Sequence, residues 1–276
     1  MNGDTVKMNE IRLIAMDLDG TMLNPKSEIS EETRKALTLA REKGIITAAC
    51  SGRYCENVSI LFLDSGLSGP VIGSNGAQMM DRPLGALVRR HHISAASARQ
   101  IRDTLDDMGT DYFIFAEGRV VSSRVGAHHH SEISMGSKIV SQSAIRFTHG
   151  PEAVDEAIRR GIYKFYICNN GELDDTREAL RTIPSTVVTR STPWNLEMMA
   201  EGVDKGTGLS ELCGYLGIPL SETMAFGDQE NDLPMLEIAG MGVAMGNAEP
   251  MVLEKAAWRT LSNAEDGVAA MILKTI

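Results

Sequence analysis

Residues 12–23 read RLIAMDLDGTML, and no other segment narrows the choice of fold as much. Apolar residues lead up to Asp17 and Asp19, two carboxylates two positions apart, and Gly20 and Thr21 follow at once. On a strand, alternation puts Asp17 and Asp19 on one face, where like charges ~4–6 Å apart raise each other's pKa and oppose ionisation. A chain that keeps such a pair must offset the repulsion.

Strand and helix signals alternate around this segment. SEETRKALTLAREKG has Ser30 as N-cap, acids in its first turn, Arg41 and Lys43 in its last, and Gly44 as a stop. IITAAC reads as a buried strand and GPVIGSNGA as a third strand. After residue 200 the alternation resumes with DKGTGLSELCGYLG, TMAFGD, NDLPMLEIAG, GVAMGNA, a helix near 249–257, and EDGVAAMILKTI. Strands alternating with helices predict an α/β, doubly wound, Rossmann-like parallel sheet.

Residues 82–200 have another texture. DYFIFAEGRVVSS reads as a hairpin, SAASARQIRDTLDDMG and GPEAVDEAIRRG as helices, and IYKFYICN, STVVTR and WNLEMMA as strands. The expected organisation is therefore a core of residues 1–81 and 201–276, interrupted by an inserted α+β domain over 82–200. With 276 residues and 43% hydrophobic content, the chain is long enough for both to have their own cores.

Ligands of such sheets bind beyond the carboxyl ends of the strands, and Asp17, Ser51 and Asn75 all follow strand-like runs. So does Asp228 in AFGDQENDLPML, with Asp232 four residues on. Four carboxylates converging at one sheet edge are unfavourable unless a hard divalent cation sits among them. Mg²⁺ is the ion that a few carboxylates plus a substrate phosphate hold. Thr21 and Ser51 offer hydroxyls, Gly20 and Gly52 let backbone approach a ligand, Asn231 carries an amide, and Lys205 stands before a helix whose N-terminus favours an anion. This set suits a phosphoryl group.

The joint pattern points to a family. DLDGT, SGR, the lysine of VDKG, and GDQENDLPML stand in the order and approximate separations of the four motifs of the haloacid dehalogenase-like hydrolases, which the chain resembles. The long insert, with SNGA before it and EDGVA near the C-terminus, resembles the Cof-type branch with its large α/β cap. Two departures stand out: Cys50 precedes Ser51 where Thr is expected, and Gly73 stands where a bulkier residue is common.

The resemblance implies a phosphatase of small phosphorylated metabolites. It makes Asp17 the nucleophile that forms an aspartyl-phosphate, and Asp19 the general acid and then base. Gly20, Thr21, Ser51, Gly52, Lys205 and Asn231 would hold the phosphoryl group. Mg²⁺ would be bound by Asp17, Asp228 and the Asp19 backbone carbonyl, with Asp232 acting through water or by orienting Lys205. The cap would read the leaving group. A phosphomutase fits the same motifs and stays open, whereas a phosphoacceptor signalling receiver is disfavoured by Asp19 and by the insert.

The remaining features set limits. A formal net charge of -10 without a basic run disfavours nucleic-acid and anionic-membrane partners, and no run approaches the ~18 apolar residues of a membrane span. The polar MNGDTVKMNE and four cysteines without disulfide or zinc spacing lead us to expect a cytoplasmic protein, a monomer or weak homo-oligomer. His128–His130 read as an exposed loop rather than a second metal site with His91 and His92. Arg53 is placed either to reach substrate or to pair with an acid.

Overall fold

The computed structural model describes residues 11–123, 146–168, 173–192 and 194–276. The triple histidine 128–130 lies outside the described residues.

The chain opens with β1 (Leu13–Met16), all four residues of which are buried, as befits a strand covered on both faces. Next come α1 (Glu31–Glu42), β2 (Ile46–Cys50), α2 (Cys55–Asp64) and β3 (Val71–Gly73). Ser30 caps α1 as expected, its hydroxyl accepting from the Thr33 N–H at 3.0 Å. No helix is expected over residues 55–64, because α2 has no side-chain cap and buries much of its surface, so neither a start signal nor a polar stripe marks it.

The strands β4 (Gln78–Met80) and β5 (Leu87–Arg90) then run antiparallel on β3 and on each other. They extend the first sheet, so the crossing to the second comes at residues 91–93 rather than near Asp81. Asp81 and the residues that follow, where the sequence places the start of the insert, instead make a hairpin turn: the Asp81 N–H donates to the Ala86 carbonyl and the Asp81 carboxylate accepts from the Ala86 N–H.

Between the crossing and residue 200 lie α3 (Ala95–Asp107), β6 (Tyr112–Ala116), β7 (Arg119–Ser122), β8 (Arg146–His149), α4 (Pro151–Arg160), β9 (Ile162–Cys168), α5 (Asp174–Arg181), β10 (Thr186–Thr189) and β11 (Asn195–Ala200). The chain closes with α6 (Lys205–Leu216), β12 (Thr223–Gly227), α7 (Leu233–Ile238), β13 (Met241–Ala244), α8 (Pro250–Lys255), β14 (Trp258–Arg259) and α9 (Gly267–Thr275).

Among the described residues the strands form two sheets. The first has the order β14-β13-β12-β1-β2-β3-β4-β5, parallel as far as β3. The second has the order β10-β11-β9-β6-β7-β8, antiparallel except for the β7–β8 pair. Because β1 is flanked by β12 and β2, the chain's first strand lies inside its sheet. The ends of those three strands frame one crevice, the usual ligand position in such sheets.

Each sheet has its own apolar core. A third cluster joins them, with Tyr54, Ala77 and Val203 packing against Phe113, Phe115, Val120, Tyr163, Tyr166 and Met199 of the second sheet. Tyr54 is the polar fastener in this seam: its buried hydroxyl donates to the Ala116 carbonyl at 3.0 Å and accepts from the Gly118 N–H at 2.8 Å. Gly73, the departure noted above, has a steric cause. A Cβ there would lie 2.8 Å from the Cys55 backbone nitrogen, so only glycine lets the chain after β2 pack against β3.

Removing the Tyr54 hydroxyl leaves the buried Ala116 carbonyl without that donor and breaks the bond from the exposed Gly118 N–H. Tyr54→Phe is expected to lower stability by about 1–3 kcal/mol, read as a shifted urea midpoint at constant slope. An unchanged midpoint would show that the seam does not depend on this pair of bonds.

Candidate active site

Adjacent parallel strands deliver the first two acids. β1 and β12 pair in register, Met16 opposite Phe226, so Asp17 and Asp228 emerge side by side just beyond their ends. β2, on the other flank of β1, delivers Ser51. A short 3₁₀ turn, Glu230–Asp232, turns Asp232 back toward them: its Oδ2 accepts from the N–H groups of Asp228 and Gln229, at 2.9 Å each.

The fourth arm is Lys205, the first residue of α6, placed by Asp204, whose carboxylate caps the helix at the Thr207 N–H. Lys205 is 1% exposed, and its Nζ lies 2.6 Å from Asp17 Oδ1 and 2.6 Å from Asp232 Oδ1. Burial works against charge on this lysine, but the two carboxylates outweigh it and hold the ammonium above its usual range.

One oxygen each from Asp17, Asp228 and Asp232 fall within 4.8 Å of one another, all buried. Three carboxylates thus face a single ammonium. Burial raises Asp17 well above the carboxylate range, opposed by Lys205 and reinforced by Asp232, Asp228 and Asp19. Burial and then the Asp232 charge push Asp228 up to about 7, against the hydrogen bonds from Thr21 and Gln229. Hard oxygen donors with excess negative charge are the donor set of a divalent cation.

The other expected residues are distributed as follows. Thr21 turns its hydroxyl onto Asp228 Oδ1 at 2.9 Å. Gly20 has φ +82°, and a Cβ there would meet Asp228 Oδ2 at 2.2 Å, so the turn after β1 needs glycine twice over. Ser51 is buried, and its hydroxyl oxygen accepts from the Arg53 N–H. Ser51, Gly52, Lys205 and Asn231 line a cavity of about 260 Å³ together with Asp17 and Asp19.

Asp19 corrects an expectation. β1 ends at Met16, so Asp17 and Asp19 lie in a turn and do not share a strand face. The Asp17 side chain is 7% exposed and that of Asp19 48%, and Arg53 clamps the latter with Nε at 2.7 Å and Nη2 at 2.5 Å. The repulsion at Asp19 is thus met by Arg53, and its carboxylate stays outside the three-acid cluster.

Two polar residues of the cavity, Lys164 and Glu197, escape the motif reading, and they engage Asn75, which it did name. Lys164 Nζ donates to the Gly52 carbonyl at 2.5 Å and to Glu197 Oε1 at 2.6 Å, Asn75 Nδ2 donates to Glu197 Oε2 at 2.5 Å, and Asn231 Nδ2 donates to Asn75 Oδ1 at 3.2 Å. A signal was available: Lys164 in IYKFYIC and Glu197 in NLEMMA are lone charges inside apolar strands, and a buried charge is rarely without a partner. Asn75 has φ 54°, a left-handed conformation that asparagine tolerates.

Comparison with known proteins agrees with the motifs. The family model for haloacid dehalogenase-like hydrolases matches residues 14–272. The 5-amino-6-(5-phospho-D-ribitylamino)uracil phosphatase YcsE of Bacillus subtilis (strain 168) is 32% identical over 263 residues, 95% of each chain. A haloacid dehalogenase-like hydrolase structure from B. subtilis superposes with a TM-score of 0.85 at 30% identity, covering 96% of this chain and 100% of that one. A subclass IIB sugar phosphatase superposes with a TM-score of 0.80 at 25% identity, covering 96% and 100%.

The raised Asp228 has a consequence for stability. Unfolded, the group returns to the ordinary value of 3.8, so the folded state holds its proton more tightly. The stabilisation this gives is complete below the unfolded pKa and is lost as pH rises through about 7. In chelator, Asp228→Asn is therefore expected to gain thermal stability relative to the parent as pH rises from about 4 to about 8. A difference in midpoint that is flat, or that grows toward acid, would contradict the burial of this charge.

Proposed function

We infer, from the premise that the chain belongs to the haloacid dehalogenase-like hydrolases, that it is a Mg²⁺-dependent phosphatase of small phosphorylated metabolites, working through an aspartyl-phosphate. One observation carries the reading: Lys205 is shared by Asp17 and Asp232 beside Asp228, in a cavity that Ser51 and Gly52 also line.

Lys205 holds one oxygen of Asp17 and leaves the other to attack phosphorus. As that bond forms, the phosphorus–oxygen bond to the leaving alcohol breaks, and Asp19 supplies the alcohol's proton. Water then attacks the aspartyl-phosphate, Asp19 takes a proton from it, and phosphate leaves Asp17 free. Arg53 pairs with the Asp19 carboxylate through Nε and Nη2. For the first step the guanidinium must release Asp19, and an incoming phosphoryl group is the natural competitor for it.

The Ser51 hydroxyl, the Gly52 backbone, the Asn231 amide and Lys205 surround the phosphoryl position and stabilise its spreading negative charge. When bound, Mg²⁺ would be held by Asp17 and Asp228 with the Asp19 carbonyl, and would offset the charge of the acids and of the phosphoryl oxygens. Asp232 spends one oxygen on Lys205 and the other on two N–H groups, so its part is to position the lysine. Thr21 likewise acts through Asp228. The second sheet, whose Phe115, Lys164, Tyr166 and Glu197 line the same cavity, is the cap that meets the leaving group.

Free phosphate release is the deciding assay, since a mutase would pass the group to a second hydroxyl. Asp17→Asn is expected to cut it by about 10³-fold or more while the thermal transition persists. Excess chelator should abolish activity and Mg²⁺ restore it. Turnover within tenfold of the parent in the variant, or full activity in chelator, would refute the mechanism.

A further inference from the structure

A chain of hydrogen bonds runs from the second sheet to the acid-lined cavity. Lys164 Nζ donates to Glu197 Oε1, Asn75 Nδ2 donates to Glu197 Oε2, and Asn231 Nδ2 donates to Asn75 Oδ1. Lys164, Glu197 and Asn75 are each 1% exposed and Asn231 6%, so the members answer to one another rather than to bulk water. The chain lies against the phosphate loop. A Cβ on Gly52 would stand 3.0 Å from Asn75 Oδ1, 3.3 Å from Glu197 Oε1 and 3.4 Å from Lys164 Nζ, which is close packing for a side chain and open only to glycine without adjustment.

Each bond has a direction that is dictated from the far end. An ammonium only donates and a carboxylate only accepts, whereas a carboxamide has one accepting and one donating end. Lys164 and Glu197 meet as donor and acceptor. The other Glu197 oxygen then requires the amino end of Asn75, whose Nδ2 also reaches Met199 Sδ at 3.6 Å. That leaves the carbonyl end of Asn75 facing Asn231, where it requires an amino end in turn. Asn231 lines the cavity beside Asp17 and Lys205, and its Nδ2 has a second proton besides the one given to Asn75.

We propose that Glu197 is a positioning residue for the phosphoryl group: through Asn75 it turns the amino end of Asn231, a donor, toward the anion. The proposal rests on the phosphatase reading, in which Asn231 meets a phosphoryl oxygen. An accepting end in that place would face the phosphoryl oxygens lone pair to lone pair, and a charge-assisted hydrogen bond would be lost. A buried ion pair is a costly way to join two strands, since apolar side chains of similar volume do it as well. Fixed polarity is what apolar side chains cannot supply. Glu197 and Lys164 stand on β11 and β9 of the second sheet, whereas Asn75 and Asn231 lie in turns after β3 and β12 of the first, so the donor is set where the two sheets meet.

Glu197→Gln reverses the chain. Lys164 still requires an acceptor and takes the carbonyl end of the new amide, whose amino end then faces Asn75; Asn75 and Asn231 must both turn over, leaving a carbonyl toward the anion. Adding Asn75→Asp puts an acceptor-only group beside Asn231 again and keeps one carboxylate near Lys164. Affinity for inorganic phosphate in saturating Mg²⁺, and for Mg²⁺ alone, is measured by calorimetry. Glu197→Gln is expected to weaken phosphate binding at least about tenfold with Mg²⁺ binding within about twofold of the parent, and the paired variant to return phosphate binding to within about threefold.

A smaller loss, a loss that Mg²⁺ binding shares, or a loss that the paired variant keeps would overturn the proposal. Should Glu197→Gln alone fail to fold, the paired variant decides, and phosphate binding weaker than the parent's by more than about threefold refutes the role. Phosphate release from p-nitrophenyl phosphate by the unaltered chain reports on the phosphatase reading separately. A working phosphatase whose phosphate affinity ignores Glu197→Gln refutes the positioning role alone, and a chain that neither releases nor binds phosphate refutes both.

Discussion

Lys205 is buried to the level of a core leucine, and only the two carboxylates 2.6 Å from its Nζ make that tolerable. Removing one partner of a buried charge typically costs about 3–5 kcal/mol, because what remains is a charge without water or counter-ion. Every element near the site bears on this geometry. Asp204 fixes the first turn of α6 that carries the lysine. The backbone after β12 fixes Asp232, and the β1–β12 register brings Asp17 beside them. The sheet and the helix must therefore be in place before the ion cluster can form, so fold and site are specified together.

The same cluster is over-supplied with negative charge, and here stability and chemistry part. Asp228 adds a carboxylate that the lysine does not touch; Thr21 and Gln229 soften its burial but cannot neutralise it. For a protein that only had to fold, an asparagine there would be better. An acid retained at that cost makes sense where a cation and a phosphate arrive as a pair, each offsetting what the other brings.

Much of this site was legible because its residues are local to strand ends. Asp17, Asp19, Ser51, Asp228 and Asp232 follow apolar runs in fixed short motifs, and a parallel sheet must bring such ends to one edge. The pairing of Arg53 with Asp19 was not legible, since nothing within one segment says which of two roles a flexible arginine takes. The hairpin of β4 and β5 was hidden for a related reason: nothing within DRPLG says that the chain turns back onto the first sheet, and only the register with β3 decides. Lys164, Glu197 and Asn75 lie up to 122 positions apart, so their meeting follows from how the two sheets pack rather than from any motif.

That packing joins the sheets by two kinds of contact with different consequences. Lys164 and Glu197 both belong to the second sheet, so if the sheets parted they would keep each other, and Gly52 and Asn75 would exchange these side-chain partners for water. Neither of these two charges would be orphaned. The apolar cluster around Tyr54, Phe113, Phe115 and Tyr163 would instead expose its faces, at roughly 25 cal/mol per Å². The apolar seam thus carries much of the resistance to separation. The polar chain has another effect: by holding the Gly52 carbonyl and Asn75 it sets the loop after β2 in one position, and that loop carries Ser51 and Arg53. Residues of the second sheet therefore bear on the placement of Ser51 and Arg53, and the cavity wall they form is built on the same strands that hold that loop in place.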